Sequence, residues 1–204
     1  MLQEVPSLVD LRLMTDAREW EALAMSKRPW RTEFFERFAS EIEAAQIKVR
    51  SVLELGSGPG FLIQHLLRRL PAISYTALDF SAAMHELART RLGAASTRVQ
   101  FVERSFREGT WSNGLGPFQC AATNQAVHEL RHKQYAATLH AQVKQVLSPN
   151  GIYLVCDHFV GEGGKKNDQL YMSVEEQKAA LFSAGFSRVE QLMLKGGLVL
   201  HHAT

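Results

Sequence analysis

Between Val52 and Phe61 an acidic residue, Glu54, precedes three glycines, Gly56, Gly58 and Gly60, set at every second position with Ser57 and Pro59 between them. Glycines at this density let backbone amides approach a ligand that a Cβ would exclude. The apolar residues that follow, Phe61, Leu62, Ile63, Leu66, Leu67 and Leu70, recur at helical spacing. A helix opening directly behind such a turn favours a negative group at its N-terminus. The spacing differs from the dinucleotide fingerprint GxGxxG, because the third glycine comes two residues after the second instead of three. Asp79 ends the next apolar run, 23 residues after Gly56. A carboxylate at that strand tip can accept hydrogen bonds from both ribose hydroxyls of a nucleoside. His128, and the adjacent pair Asp157 and His158, are the groups suited to proton transfer, since imidazole titrates near neutral pH.

The elements that must position these groups alternate in type. Val52–Leu55, Ile73–Asp79, Val99–Glu103, Gln119–Asn124 and Ile152–Asp157 read as short buried strands. Helices are expected over Phe61–Leu70, from a Ser81 cap to a stop at Gly93, and over about Lys133–Leu147. Strand–helix–strand crossovers of this kind predict an α/β fold with a parallel sheet. Asp157 and His158 then fall at the C-terminal end of the fifth strand, where open α/β sheets place their sites. Pro149-Asn150-Gly151 reads as the turn into that strand. Ser173 with Glu176 forms a capping box for a helix to about Ala184, and Lys195-Gly196-Gly197 reads as a hairpin turn. Ahead of the glycine turn, a helix over Asp16–Met25 is followed by a break at Lys27-Arg28-Pro29-Trp30. A second helix, capped by Thr32, runs to about Ala45.

Glu54-Leu55-Gly56-Ser57-Gly58-Pro59-Gly60 resembles motif I of the class I S-adenosylmethionine (SAM)-dependent methyltransferases, and Asp79 matches the acid that ends their second strand. The resemblance runs over about residues 50–204. It implies a Rossmann-like, seven-stranded, mostly parallel sheet with helices on both faces and an antiparallel last strand. Residues 1–48 would form a helical cover and residues 49–204 the methyltransferase domain. It also implies S-adenosyl-L-methionine as cofactor, S-adenosyl-L-homocysteine as product and a small molecule as methyl acceptor.

The cofactor residues it implies are Glu54, Gly56, Ser57, Gly58, Gly60, Asp79 and Phe80, with Met84, Ser105, Phe106 and Asn124 in support. Met84 fits either the adenine ring or the core, and its helical spacing favours the core. Ser105 stands where the family often has an Asp facing the adenine amino group, and Gln119 stands where it often has another Asp. Residues 123–130 resemble the motif IV region of small-molecule members, which puts His128 near the acceptor. They lack the (Asp or Asn)-Pro-Pro-(Tyr or Phe) signature of amino-directed members. Trp30, Arg31, His128 and Tyr171 are the candidates for acceptor binding, with Trp20 a further one. Arg28 or Arg31 is placed to meet the cofactor carboxylate, and the alternative for each is a solvated surface arginine. Lys165 and Lys166 read as solvated.

A methyltransferase acting on protein or RNA and a non-catalytic SAM-binding protein are the competing readings. A net charge of +2 across 204 residues argues against nucleic acid as a partner. Hydrophobic content of 46% and charged content of 22% fit a globular chain able to bury a core. No apolar run reaches membrane-spanning length, and no metal-ligand spacing stands out. Cys120 and Cys156 fall inside buried strands and read as core residues of a reduced, cytoplasmic protein.

Overall fold

Seven strands form one sheet in the order β3-β2-β1-β4-β5-β7-β6 in the computed structural model, which describes residues 3–204. The strands are β1 (Ser51–Leu55), β2 (Ser74–Asp79), β3 (Val99–Glu103), β4 (Phe118–Asn124), β5 (Leu147–His158), β6 (Val189–Lys195) and β7 (Leu198–Ala203). The helices are α1 (Met14–Ala24), α2 (Arg31–Ala44), α3 (Phe61–Arg69), α4 (Ala82–Leu92), α5 (Ala136–Val146) and α6 (Val174–Ser183). β1 pairs in parallel with both β2 and β4, so the strand order reverses direction at β1. That reversal opens a crevice beyond the C-terminal ends of β1 and β4.

Alternation along the strands sorts side chains to the two faces. Val52, Cys120, Ala122, Leu154 and Leu200 share one buried cluster with Phe34, Phe35 and Phe38 of α2 and Leu62, Ile63 and Leu66 of α3. Leu53, Leu55, Ala121, Tyr153 and Val155 share another with Leu139 and Val143 of α5 and Leu181 of α6. Helices therefore cover both faces, and α2 shares its core with the sheet. Phe34 and Phe38 are fully buried; each contributes roughly 1.5–3 kcal/mol by leaving water. A third, smaller cluster joins Ala17 of α1 to Ala83, Met84 and Leu87 of α4, with Leu11, Met14 and Trp20 packed against it.

Several local expectations carry through. Ser81 accepts from the Met84 amide, and Ser173 and Glu176 make the reciprocal capping box. Gly196 and Gly197 take positive φ at the β6–β7 turn, and β7 lies antiparallel between β5 and β6. Two expectations are corrected. Thr32 is not a cap: α2 begins one residue earlier, at Arg31, and has no side-chain cap. Pro149-Asn150-Gly151 does not separate a turn from β5. The strand starts at Leu147 and absorbs these residues as an irregularity in its pairing with β4, with Asn150 at φ 62°. Gln119, at the opposite end of the sheet from the crevice, accepts from the Ser51 amide and hydroxyl at 2.9 and 2.6 Å and ties β4 to β1.

Candidate active site

The chain leaves β1 through Gly56, Gly58 and Gly60, all at positive φ. The Gly56 and Ser57 amides both donate to the Leu78 carbonyl, at 2.8 and 3.1 Å. The Gly58 amide donates to Asp79 Oδ2 at 2.8 Å, and the Ser81 amide donates to Asp79 Oδ1 at 3.0 Å. Asp79 thus latches the glycine turn to the end of β2 and keeps further lone pairs free. Burial raises its carboxyl to about 6, against the lowering effect of those amides. Glu54 accepts from the Tyr75 hydroxyl at 2.8 Å. It is 2% exposed, and burial, partly offset by that bond, raises its carboxyl to about 8; the charge of Asp79 adds to the rise.

These groups open on a cavity of about 260 Å³, which adjoins a second of about 330 Å³. Leu11, Phe80, Phe106 and Glu129 line both. Of the residues expected at a cofactor site, Glu54, Gly56, Ser57, Gly58, Asp79, Phe80, Met84, Phe106 and Asn124 line the first cavity. Met84 is both lining and nearly fully buried, so the two readings of it coincide. Ser105 does not line the first cavity but does line the second, and its hydroxyl accepts from the Arg107 amide at 3.3 Å. Gly60 stands outside, at the start of α3, where a Cβ would come within 3.0 Å of the Ala88 Cβ.

Arg31, His128, His158 and Tyr171 also line the first cavity. Trp30 is the exception among the expected acceptor residues. Its indole lies over Gly196, where a Cβ would overlap the ring, so it anchors the α1–α2 junction to the β6–β7 hairpin. Trp20 takes the place at the cavity, with the Arg31 guanidinium 5.6 Å from its ring centroid. Lys165 also lines the cavity, contrary to its expected place in solvent. Gln125 and Glu129 do too, and Arg12 joins from the N-terminal segment in the second cavity. Gln125 and Glu129 fall within the 123–130 stretch that resembles motif IV, though neither side chain was singled out, and nothing marked Arg12. They arrive through the tertiary path of loops.

Behind the cavity, Asp157 binds three groups. Its Oδ2 accepts from the His128 amide at 2.8 Å, and its Oδ1 from the His158 amide and His128 Nδ1, both at 2.7 Å. His128 Nε2 lies 3.4 Å from Glu129 Oε1, and Glu129 also pairs with Arg131. Burial alone would lower the His128 pKa. The charge and hydrogen bond of Asp157, with Glu129 on the other side, outweigh it and raise the value to about 10. His128 is therefore an imidazolium at neutral pH. His158 is the opposite case: burial lowers it to about 3, the pull of Asp157 being offset by His128, Arg28 and Lys165. Its Nε2 lies 3.3 Å from Arg28 Nη2, and its Nδ1 lies 3.3 Å from the Gly197 carbonyl. Arg28 can only donate, so Nε2 accepts and Nδ1 carries the proton. This corrects the expectation of His158 as a base, because its one lone pair is already taken.

The walls also hold unpartnered polar atoms. Ser57 Oγ, Asn124 Oδ1, Gln125 Nε2 and Arg31 Nε are buried without hydrogen bonds. Native interiors leave few such groups unmet. A ligand that carries both hydrogen-bond donors and an anionic group fits them: donors for Ser57 Oγ and Asn124 Oδ1, an anion for Arg31 Nε. No group of three or more metal-ligating side chains occurs among the described residues. None of the described helices is long and apolar enough to cross a membrane.

The sheet order, the glycine turn and the two buried acids at its switch point define a Rossmann-like α/β protein. Comparison with known proteins narrows this. A profile of the methyltransferase domain matches residues 52–151. A malonyl-[acyl-carrier protein] O-methyltransferase of Geobacter sulfurreducens is 25% identical over 179 residues, covering 76% of this chain and 62% of the relative. An O-methyltransferase family protein from Burkholderia thailandensis superposes with a TM-score of 0.72 at 17% identity, over 93% of this chain and 59% of that one. Human N-acetylserotonin methyltransferase, solved in complex with SAM, gives 0.69 at 14% identity, over 95% and 56%. Residues 52–151 thus match a methyltransferase domain, and the described chain shares the fold of these S-adenosylmethionine-dependent methyltransferases. The chain spans about three-fifths of the length of these relatives.

Proposed function

We propose that the chain binds S-adenosylmethionine and transfers its methyl group to a small-molecule acceptor, with residues 1–48 as a cover over the cleft. The observation that carries this is the convergence on one cavity of the glycine turn, Glu54, Asp79 and the unpartnered Ser57, Asn124 and Gln125 atoms. When bound, the cofactor supplies a methyl carbon made electrophilic by a sulfonium. The protein's share is to orient and to exclude water. Asp79 and the Gly58 turn hold the ribose, and Glu54 faces the ammonium. Phe80, Met84 and Phe106 flank the base, with Ser105 at its far edge. Arg31, Tyr171 and His128 border the acceptor, with the imidazolium of His128 placing positive charge and an N–H donor there. The structural likeness to N-acetylserotonin methyltransferase, named for a small acceptor, supports this reading, as does the low net charge.

Titration calorimetry with S-adenosylhomocysteine, with NAD as control, tests the cofactor. Detection of an acceptor gaining one methyl by mass spectrometry tests the transfer. Asp79→Ala is expected to weaken S-adenosylhomocysteine binding by roughly 1–3 kcal/mol through lost charge-assisted bonds. Unchanged affinity removes Asp79 from the ribose.

Glu54 gives a second readout. Its carboxyl at about 8 is mostly protonated at pH 7. A raised carboxyl costs the unliganded fold stability as pH climbs from the ordinary carboxylate value through 8. An ammonium placed beside it lowers its pKa, so binding at pH 7 is expected to release about one proton. Calorimetry in buffers of different ionisation enthalpy measures this, and Glu54→Gln is expected to abolish the release. A release that persists in Glu54→Gln assigns the proton to another group.

A further inference from the structure

We infer that Arg28 and Lys165, beside the Tyr171 ring, form an anion subsite in the cavity, built to hold a carboxylate or phosphate carried by the methyl acceptor. This rests on the reading of the cavity as a methyl-transfer site and names the class of acceptor it takes.

Three cations line the cavity, Arg28, Arg31 and Lys165, and none forms an ion pair with any carboxylate among the described residues. Some cations elsewhere are paired, such as Arg69 with Glu36 and Glu43, Arg91 with Glu21 and Arg131 with Glu129; what sets these three apart is that they line one cavity. Arg31 is 2% exposed, donates to Gln125 Oε1 at 3.0 Å, and leaves Nε without a partner. A buried cation without a counter-charge is costly and persists where a ligand supplies one. The three also repel one another. Burial and then the charge of Arg28 hold Arg31 down to about 10 and lower Lys165.

The acids around the cavity are already committed. Asp79 binds the Gly58 and Ser81 amides, Glu54 accepts from Tyr75, and Asp157 binds His128 and the His158 amide. Glu129 pairs with Arg131 and His128. A bound cofactor brings one carboxylate, enough for Arg31. That leaves Arg28 and Lys165 without a counter-charge.

Both are held in place. Arg28 lies against His158 Nε2 at 3.3 Å. Lys165 is fixed by a tight loop: its amide donates to the Phe159 carbonyl at 2.7 Å, its carbonyl accepts from the Gly161 amide at 3.3 Å, and a Cβ on Gly164 would overlap Phe159. Its ammonium stands 5.8 Å from the centroid of the Tyr171 ring. The His128, His158 and Tyr171 rings pack on one another with centroids 5.3 to 5.7 Å apart. The subsite therefore joins Arg28 at the edge of the His158 ring and Lys165 near the Tyr171 ring, beside the His128 imidazolium.

The test uses the full chain saturated with S-adenosylhomocysteine. Failure of that first binding step defeats the methyltransferase reading itself and is thereby distinguished from failure of the subsite. Benzoate, phenyl phosphate and neutral benzamide are then titrated by calorimetry. At least one of the two anions is expected to bind tenfold or more tightly than benzamide, and the stronger of the two identifies the oxyanion. Arg28→Met and Lys165→Met are each expected to cost the anion about tenfold in affinity and to leave benzamide binding unchanged. Arg28→Lys is expected to restore part of the loss, and Lys166→Met, one residue along on the exposed side, to change nothing. In the ligand-free chain Lys165→Met is expected not to lower the melting temperature, because an unpartnered cation holds nothing together. Equal affinity for benzoate, phenyl phosphate and benzamide, anion binding that survives the double substitution, or a lowered melting temperature for Lys165→Met overturns the subsite.

Discussion

Replacing Asp157 with Ala is expected to remove about 3–5 kcal/mol of folding stability, the cost of leaving one member of a buried ion pair alone. Asp157 is 3% exposed and its two oxygens take the His128 amide, the His158 amide and the His128 ring. The substitution leaves two buried amides and an imidazolium unmet, and it cuts the link between the end of β5 and the turn after β4. Urea denaturation measures the loss; a change within 0.5 kcal/mol would show that the cluster is not holding these elements. The pH dependence carries the same signature. Folding raises His128 from an ordinary 6.5 to about 10, so its contribution is complete below pH 6.5 and is lost as pH rises towards 10. The pull of His128 and its hydrogen bond hold Asp157 below its ordinary value against burial, so its contribution is lost only as pH falls through that lowered value. Stability should therefore decline between pH 6.5 and 10, and Asp157→Asn should flatten that decline. Titration of His128 by NMR reads the same shift directly.

Gly56→Ala is expected to have the second largest effect and Gly58→Ala a much smaller one. Both glycines take positive φ, 67° and 53°, which costs an alanine about 1–2 kcal/mol. They differ in what a Cβ would meet. At Gly56 it overlaps the Ala126 Cβ, while at Gly58 there is nothing within 4 Å. Overpacking adds roughly 1–3 kcal/mol at Gly56 and displaces Ala126, which lines the cavity. Gly56→Ala should thus lose about 2–5 kcal/mol of stability together with S-adenosylhomocysteine binding. Adding Ala126→Gly removes the overlapping atom and should recover most of the packing part, leaving the backbone cost. Failure of the double substitution to recover stability would mean that the backbone conformation, not the contact, sets the requirement at Gly56.

How much of this was legible differs by element. The five parallel strands were readable because each is a short apolar run, and β1, β2 and β4 at the centre are buried on both faces, whereas β3 at the edge is only partly buried. The capping box at Ser173 and the paired glycines at 196 and 197 were readable because their chemistry is local. The start of α2 was not, because Arg31 enters the helix under tertiary contacts with Trp20 and Gln125 that no neighbour in sequence announces. Of the two tryptophans expected at the cleft, Trp20 lines it and Trp30 does not, for a similar reason. Both are aromatic residues ahead of the glycine turn, and only the position of the β6–β7 hairpin decides which one it takes.

The sequence alone determined the glycine-turn end of the cavity, the proposed cofactor end. Gly56, Gly58, Glu54 and Asp79 lie on strand tips and one turn, and their spacing already places them at a switch point. The tertiary structure decided the acceptor end. There Arg28, Lys165, His128, Asp157, His158 and Tyr171 come from five separate segments, and the charge of each is set by its neighbours in space. Asp157 gives His128 its proton, and Arg28 takes the lone pair of His158, so two histidines alike in sequence become an imidazolium and a neutral hydrogen-bond acceptor.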